Sequence, residues 1–183
     1  SYTADTVTRH LLGVDFGDLD TAIRGRFSGW FYLSPGDLGV PFEEVDVETE
    51  LGAAPAWFVP AASTSSAWMI GVHGRAVRRQ ETLRSVPVFR EAGYNSLLVS
   101  YRNDGDAPGT ADNRYSLGDT EWNDVEAAMR FALDQGATSI VLMGWSMGGA
   151  TVLQAVTRSP LSANVIGVVL ESPVVDWVTA LHY

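Results

Sequence analysis

Gly144-Trp145-Ser146-Met147-Gly148 sets a serine between two glycines in the pattern G-x-S-x-G. A serine hydroxyl attacks an acyl carbon when a base takes its proton, and the attack leaves negative charge on the former carbonyl oxygen. The pattern suits this chemistry where a strand turns sharply into a helix, lifting the hydroxyl out of the sheet top. Gly144 and Gly148 then remove side chains that would clash, and Gly149 with Ala150 lets the helix pack closely. The helix N-terminus lies under the developing oxyanion, with its partial positive charge and the free backbone N–H of Met147. Ser146 is therefore the candidate nucleophile and Met147 the first candidate oxyanion donor.

A second donor is needed, and Val72-His73-Gly74-Arg75 ends an earlier apolar run. The backbone N–H of Arg75 is the candidate. His73 and Gly74 are expected to shape this oxyanion loop, a role that fits His73 better than general base. Asp176 is the candidate acid, weighed against a capping or solvated role. His182 follows Ser146 in the chain but lies only six residues from Asp176, and His10 precedes the sheet as an ordinary surface or packing residue.

These residues need a frame to position them. Phe42 to Thr49 and Ala56 to Val59 read as antiparallel edge strands, and a polar turn at Ala61 to Ser66 leads from them into the rest of the sheet. Four continuous apolar runs come next: Ala67 to Val72, Ser96 to Tyr101, Ser139 to Gly144 and Val165 to Leu170. Runs of this kind suit strands buried on both faces of a parallel sheet. Helices are expected between them: Gln80 to Ala92, kinked or split at Pro87; a second capped by Asp119, with Trp122, Val125 and Met129 on its apolar stripe; and a third from Ser146 to Arg158. The prediction is a doubly wound, mostly parallel α/β sheet, with residues 1–39 as an N-terminal extension and 40–183 as the domain.

Together these features resemble the α/β-hydrolase superfamily, and Gly-Trp-Ser-Met-Gly-Gly looks most like its serine aminopeptidase and acyl-esterase-like branch. The resemblance covers about residues 40 to 178 and includes His73-Gly74, Tyr101-Arg102-Asn103, Glu121-Trp122 and Glu171-Ser172-Pro173. It implies eight or so strands, with the acid after the seventh and the histidine after the eighth. This chain reads as that fold ending after the sixth strand, so both partners of Ser146 are expected beyond Tyr183. A partner segment is expected with them, either the C-terminal remainder of the same enzyme or a second chain, and the 183-residue piece alone is expected to be inactive. The implied activity is a serine hydrolase acting on an ester, amide or related acyl bond of a small substrate, with no cofactor and no metal. The alternative is a non-catalytic binding or scaffold module that keeps the turn without a complete triad.

Composition narrows the field. The 183 residues are 46% hydrophobic, enough for a packed core, and 22 acidic against 12 basic residues give a net charge of −10 that repels nucleic acid and anionic lipid. There is no cysteine. No apolar run approaches the roughly 20 residues that span a bilayer, and Ser1 to Arg9 carries no charged-then-apolar signal pattern. Gly144 to Thr151 also reads as a near phosphate loop, but Ala150 stands where the lysine must be; a dinucleotide motif fails because Ser146 replaces its second glycine. The Asp-rich stretch Arg102 to Gly118 has Pro108 at the fifth position and no Glu at the twelfth, so it reads as a solvated loop rather than a calcium loop. Trp30, Phe31 and Tyr32 read as core or edge cover.

Overall fold

A computed structural model describes residues 10–14, 17–23 and 29–182. The signal-pattern reading at Ser1 to Arg9 lies outside them. Six strands form one sheet: β1 (Glu43–Thr49), β2 (Gly52–Val59), β3 (Ala67–Val72), β4 (Asn95–Val99), β5 (Ser139–Trp145) and β6 (Val165–Glu171). Their spatial order is β1-β2-β4-β3-β5-β6. β1 and β2 pair antiparallel, β2 runs antiparallel to β4, and the β4–β3, β3–β5 and β5–β6 pairs are parallel. β2 starts earlier than its apolar segment suggests, because the tight connection brings Gly52–Pro55 into register with Asp46–Thr49.

Alternation along the buried strands feeds two cores. Trp68, Ile70, Val72, Leu97, Val99, Ile140 and Leu142 point to one face, where they meet Val125 and Met129 of α2 (Trp122–Asp134) and Met147 and Val152 of α3 (Met147–Arg158). Met69, Leu98, Met143 and Trp145 point to the other, under Leu83 and Val86. Each large side chain buried this way contributes about 1.5–3 kcal/mol. Helices on both faces make the sheet doubly wound. Tyr32 packs against the second core, whereas Phe31 is exposed.

The connection from β3 to β4 splits where the proline dictates. A 3-10 helix covers Arg79–Ser85, and α1 (Val86–Glu91) begins with Pro87 at its second position, where a missing N–H costs nothing. Asp119 does not cap α2. The helix starts at Trp122 after Glu121, and Asp119 pairs with Arg158 at 2.8 Å instead. The buried Glu121 carboxylate accepts the N–H groups of Ser116 at 2.6 Å and Gly118 at 2.9 Å, so it organises the turn that enters the helix. Among the described residues, no helix is long and apolar enough to cross a membrane.

Candidate active site

Ser146 stands alone between β5 and α3, with φ 50° and ψ −116°. Positive φ is strained for a residue with a Cβ, by about 1–3 kcal/mol, so the surroundings must hold it there. They do so through hydrogen bonds: its N–H donates to Glu171 O at 3.1 Å, and its carbonyl accepts from Val174 N and Gly149 N at 3.0 Å each. The glycines around it are there for close approach. A Cβ on Gly144 would run into the backbone of Gly148, and one on Gly148 into the carbonyls of Val72 and His73. On Gly149 it would lie 2.6 Å from the Pro173 ring. The helix start is thus wedged against the end of β3 on one side and the loop after β6 on the other.

That wedge brings the two halves of the predicted site together. A Cβ built on Gly74 would lie 3.2 Å from Ser146 Cβ, so the loop after β3 borders the serine directly. Arg75 follows, exposed, with its guanidinium 6.0 Å from the centre of the Tyr115 ring. Met147 is the first residue of α3, where backbone N–H groups lack intrahelical acceptors. The Gly74 N–H is engaged by Glu81 Oε2 at 2.6 Å.

His73 is fully buried and its ring serves the loop. Nδ1 lies 2.9 Å from Gly74 O, Nε2 lies 3.1 Å from Asp104 Oδ2, and the ring stacks on Tyr101 with centroids 4.2 Å apart. The Tyr101 hydroxyl donates to the carbonyls of His73 at 3.1 Å and Gly74 at 2.8 Å. Asp104 corrects the reading of its loop as merely solvated. It is buried, and besides His73 it accepts the N–H groups of Tyr101, Asp106 and Ala107 at 3.2, 2.9 and 3.0 Å. Burial works to raise the Asp104 carboxyl, but the His73 contact and the backbone N–H bonds outweigh it and hold the group below its ordinary value. Burial pushes the Tyr101 phenol well up, with the nearby Tyr115 and Asp104 adding to the effect, so it stays a donor. Sequence reasoning gave Tyr101 no role and read Asp104 as part of a solvated loop. The available signal was a carboxylate three residues beyond the aromatic that ends a buried apolar run.

Asp176 lies in a different setting. It opens α4 (Trp177–Leu181), accepting from Val178 N at 2.9 Å, Thr179 N at 3.2 Å and the Thr179 hydroxyl at 2.6 Å. The Thr179 hydroxyl is the main cause of its lowered pKa. His182 ends the same helix and is exposed, as is His10. Among the described residues, no side chain hydrogen-bonds the Ser146 hydroxyl. A groove of about 400 Å³ opens on the α1 face, lined by Val88, Phe89, Met143, Trp145 and Val169 among others, but not by Ser146.

Known proteins agree with this architecture. The alpha/beta hydrolase family model matches residues 58–182. The chain is similar to the uncharacterized protein YfhR of Escherichia coli K12, with 28% identity over 127 residues that cover 67% of this chain and 44% of YfhR. YfhR of Salmonella typhi is 31% identical over 112 residues, covering 59% and 38%. The chain therefore spans less than half the length of these relatives. Among solved structures, the Pyrococcus furiosus esterase Pf2001 superposes with a TM-score of 0.67 at 23% identity, over 79% of this chain and 56% of that one. The α/β hydrolase GrgF from Penicillium gives 0.65 at 22%, over 75% and 47%.

Proposed function

The chain belongs to the alpha/beta hydrolase family, and on that footing we propose that it carries the nucleophile of a serine hydrolase that cleaves an ester, amide or related acyl bond of a small substrate. The observation that carries this reading is the Ser146 backbone, held at φ 50° between β5 and α3 beside Gly74. Strain of this kind persists where the surroundings over-determine it, and it clusters at active sites.

In the proposed reaction Ser146 Oγ bonds to the acyl carbon while a histidine takes its proton and a carboxylate orients that histidine. The tetrahedral oxyanion is held by the backbone N–H groups of Met147 and Arg75 at the positive end of α3. The bond to the leaving group then breaks, and the leaving group departs with the proton. Water attacks the acyl-enzyme by the reverse proton path, releasing the acid and restoring Ser146. The histidine and its carboxylate come from the C-terminal remainder of the same enzyme or from a second chain. His73 does not take the base role, because its ring is committed to Gly74 and Asp104.

The fold alone also admits a second reading, a binding or scaffold module that keeps the turn without turnover. A fluorophosphonate probe separates the two. Under the proposed function it labels the complete protein at Ser146, and Ser146→Ala abolishes the label. A folded complete protein that resists labelling overturns the hydrolase reading in favour of the scaffold.

A further inference from the structure

The buried trio His73, Tyr101 and Asp104 lies outside the proposed proton relay, yet it converges on one atom of the site. Gly74 O accepts from the Tyr101 hydroxyl at 2.8 Å and faces His73 Nδ1 at 2.9 Å. A carbonyl only accepts, so Nδ1 carries the proton in that bond. Nε2 lies 3.1 Å from the Asp104 carboxylate, which already holds three backbone N–H groups.

Gly74 O belongs to the same peptide unit as the Arg75 N–H. The unit is trans, so its carbonyl and N–H point in opposite directions. Two donors from the buried side hold the carbonyl inward toward Tyr101, which turns the Arg75 N–H outward. Ser146 borders Gly74 in the same unit, and the Arg75 side chain that follows is exposed. We propose that Tyr101, His73 and Asp104 are positioning residues for the oxyanion: they pin the Gly74 carbonyl so that the Arg75 N–H is aimed and strengthened as a donor. Donation onto a carbonyl polarises its peptide and makes the opposite N–H a better donor. Asp104 acts at one remove, by fixing the His73 ring. The loop that carries it is anchored separately, through the Arg78–Asp106 pair at 2.6 Å and through Arg102 on Asp124 at 2.8 Å. This inference rests on the proposed role of Ser146.

The test uses the complete protein and a matched pair of p-nitrophenyl esters, one with the ordinary acyl oxygen and one with sulfur in its place. Sulfur is a poor hydrogen-bond acceptor, so the oxygen-to-sulfur ratio of kcat/KM reads how well the oxyanion donors are aimed. Tyr101→Phe keeps the ring stack and removes one donor; Asp104→Asn keeps the shape and loosens His73. Both are expected to lower kcat for the oxygen ester about 10- to 100-fold with little change in KM, less than the roughly 10²- to 10³-fold loss of a whole donor. The oxygen-to-sulfur ratio is expected to fall in step. If the variants lose both activities equally, or lose none, the positioning role is overturned while the hydrolase reading stands. Ser146→Ala is the reference for that distinction: activity surviving it overturns the nucleophile assignment, and this inference with it. Thermal midpoints of the variants identify any loss due to unfolding, and Tyr101→Phe, the milder change, then carries the test.

Discussion

Arg102 and Asp124 are joined by two parallel side-chain bonds, Nε to Oδ2 at 2.8 Å and Nη2 to Oδ1 at 2.9 Å, while the Arg102 backbone N–H meets the same carboxylate at 2.9 Å. Both side chains are buried, so the fork ties the loop after β4 to α2 where water does not compete. Removing Asp124 strips the buried guanidinium of its forked partner and leaves it only the exposed Glu50, at 2.8 Å. Asp124→Ala is expected to lower unfolding free energy by about 3–5 kcal/mol, whereas Glu50→Ala, which takes away the exposed second partner of Arg102, is expected to cost under about 1 kcal/mol. Urea unfolding of the two variants checks this, and equal losses would show that the fork is not the anchor.

Gly148 and Gly136 separate two reasons for a glycine. A methyl on Gly148 meets the carbonyls of Val72 and His73, both backbone atoms that cannot swing aside. Gly136 has φ +89° but open space around it. Gly136→Ala is expected to cost about 1–2 kcal/mol from backbone conformation alone, and Gly148→Ala about 3 kcal/mol or more, since the serine turn must open to admit the methyl. Denaturation midpoints measured side by side decide it. A Gly148→Ala protein no weaker than Gly136→Ala would mean that the turn yields easily.

Much of the fold was legible in the sequence because local and long-range signals agree. Ile70, Leu97, Leu142 and their neighbours sit in runs apolar on both faces, which only a covered parallel sheet accommodates, and Ser146 falls where one such run becomes a helix. Asp104 and Tyr101 were not legible as a pair with His73. Their meeting depends on β4 lying beside β3, a contact across about thirty residues that no periodicity encodes. Asp119 was misread for a local reason. It has the right residue type for a cap, but the Glu121 carboxylate closes the preceding turn on Ser116 and Gly118, and this delays the helix start. Cap propensity gives way there to a competing side-chain bond within the same turn.

The strain at Ser146 gives a prediction in which stability and chemistry move apart. Glycine adopts φ 50°, ψ −116° without a Cβ penalty, while alanine keeps the penalty and loses only the hydroxyl. Ser146→Gly is expected to be more stable than Ser146→Ala by about 1–2 kcal/mol, with neither variant labelled by a fluorophosphonate. Calorimetric midpoints of the pair test this. The reverse order would show that the turn holds no strain.

Asp104 sets an acid limit on the loop that borders the serine. Its folded pKa is depressed below the ordinary value of 3.8, so the unfolded chain takes up its proton first as pH falls. The stabilisation is complete above the unfolded value and is lost as pH drops through the lower folded one. In Asp104→Asn that titration is gone. Unfolding free energies measured from about pH 6 down to about pH 2 should therefore show the wild type losing its advantage over the variant across the acid end of the range, with the gap constant at the upper end. A gap that stays constant throughout would mean that Asp104 ionises alike in both states. The His73 contact and the backbone N–H bonds would then do no more than balance the burial cost of the carboxylate.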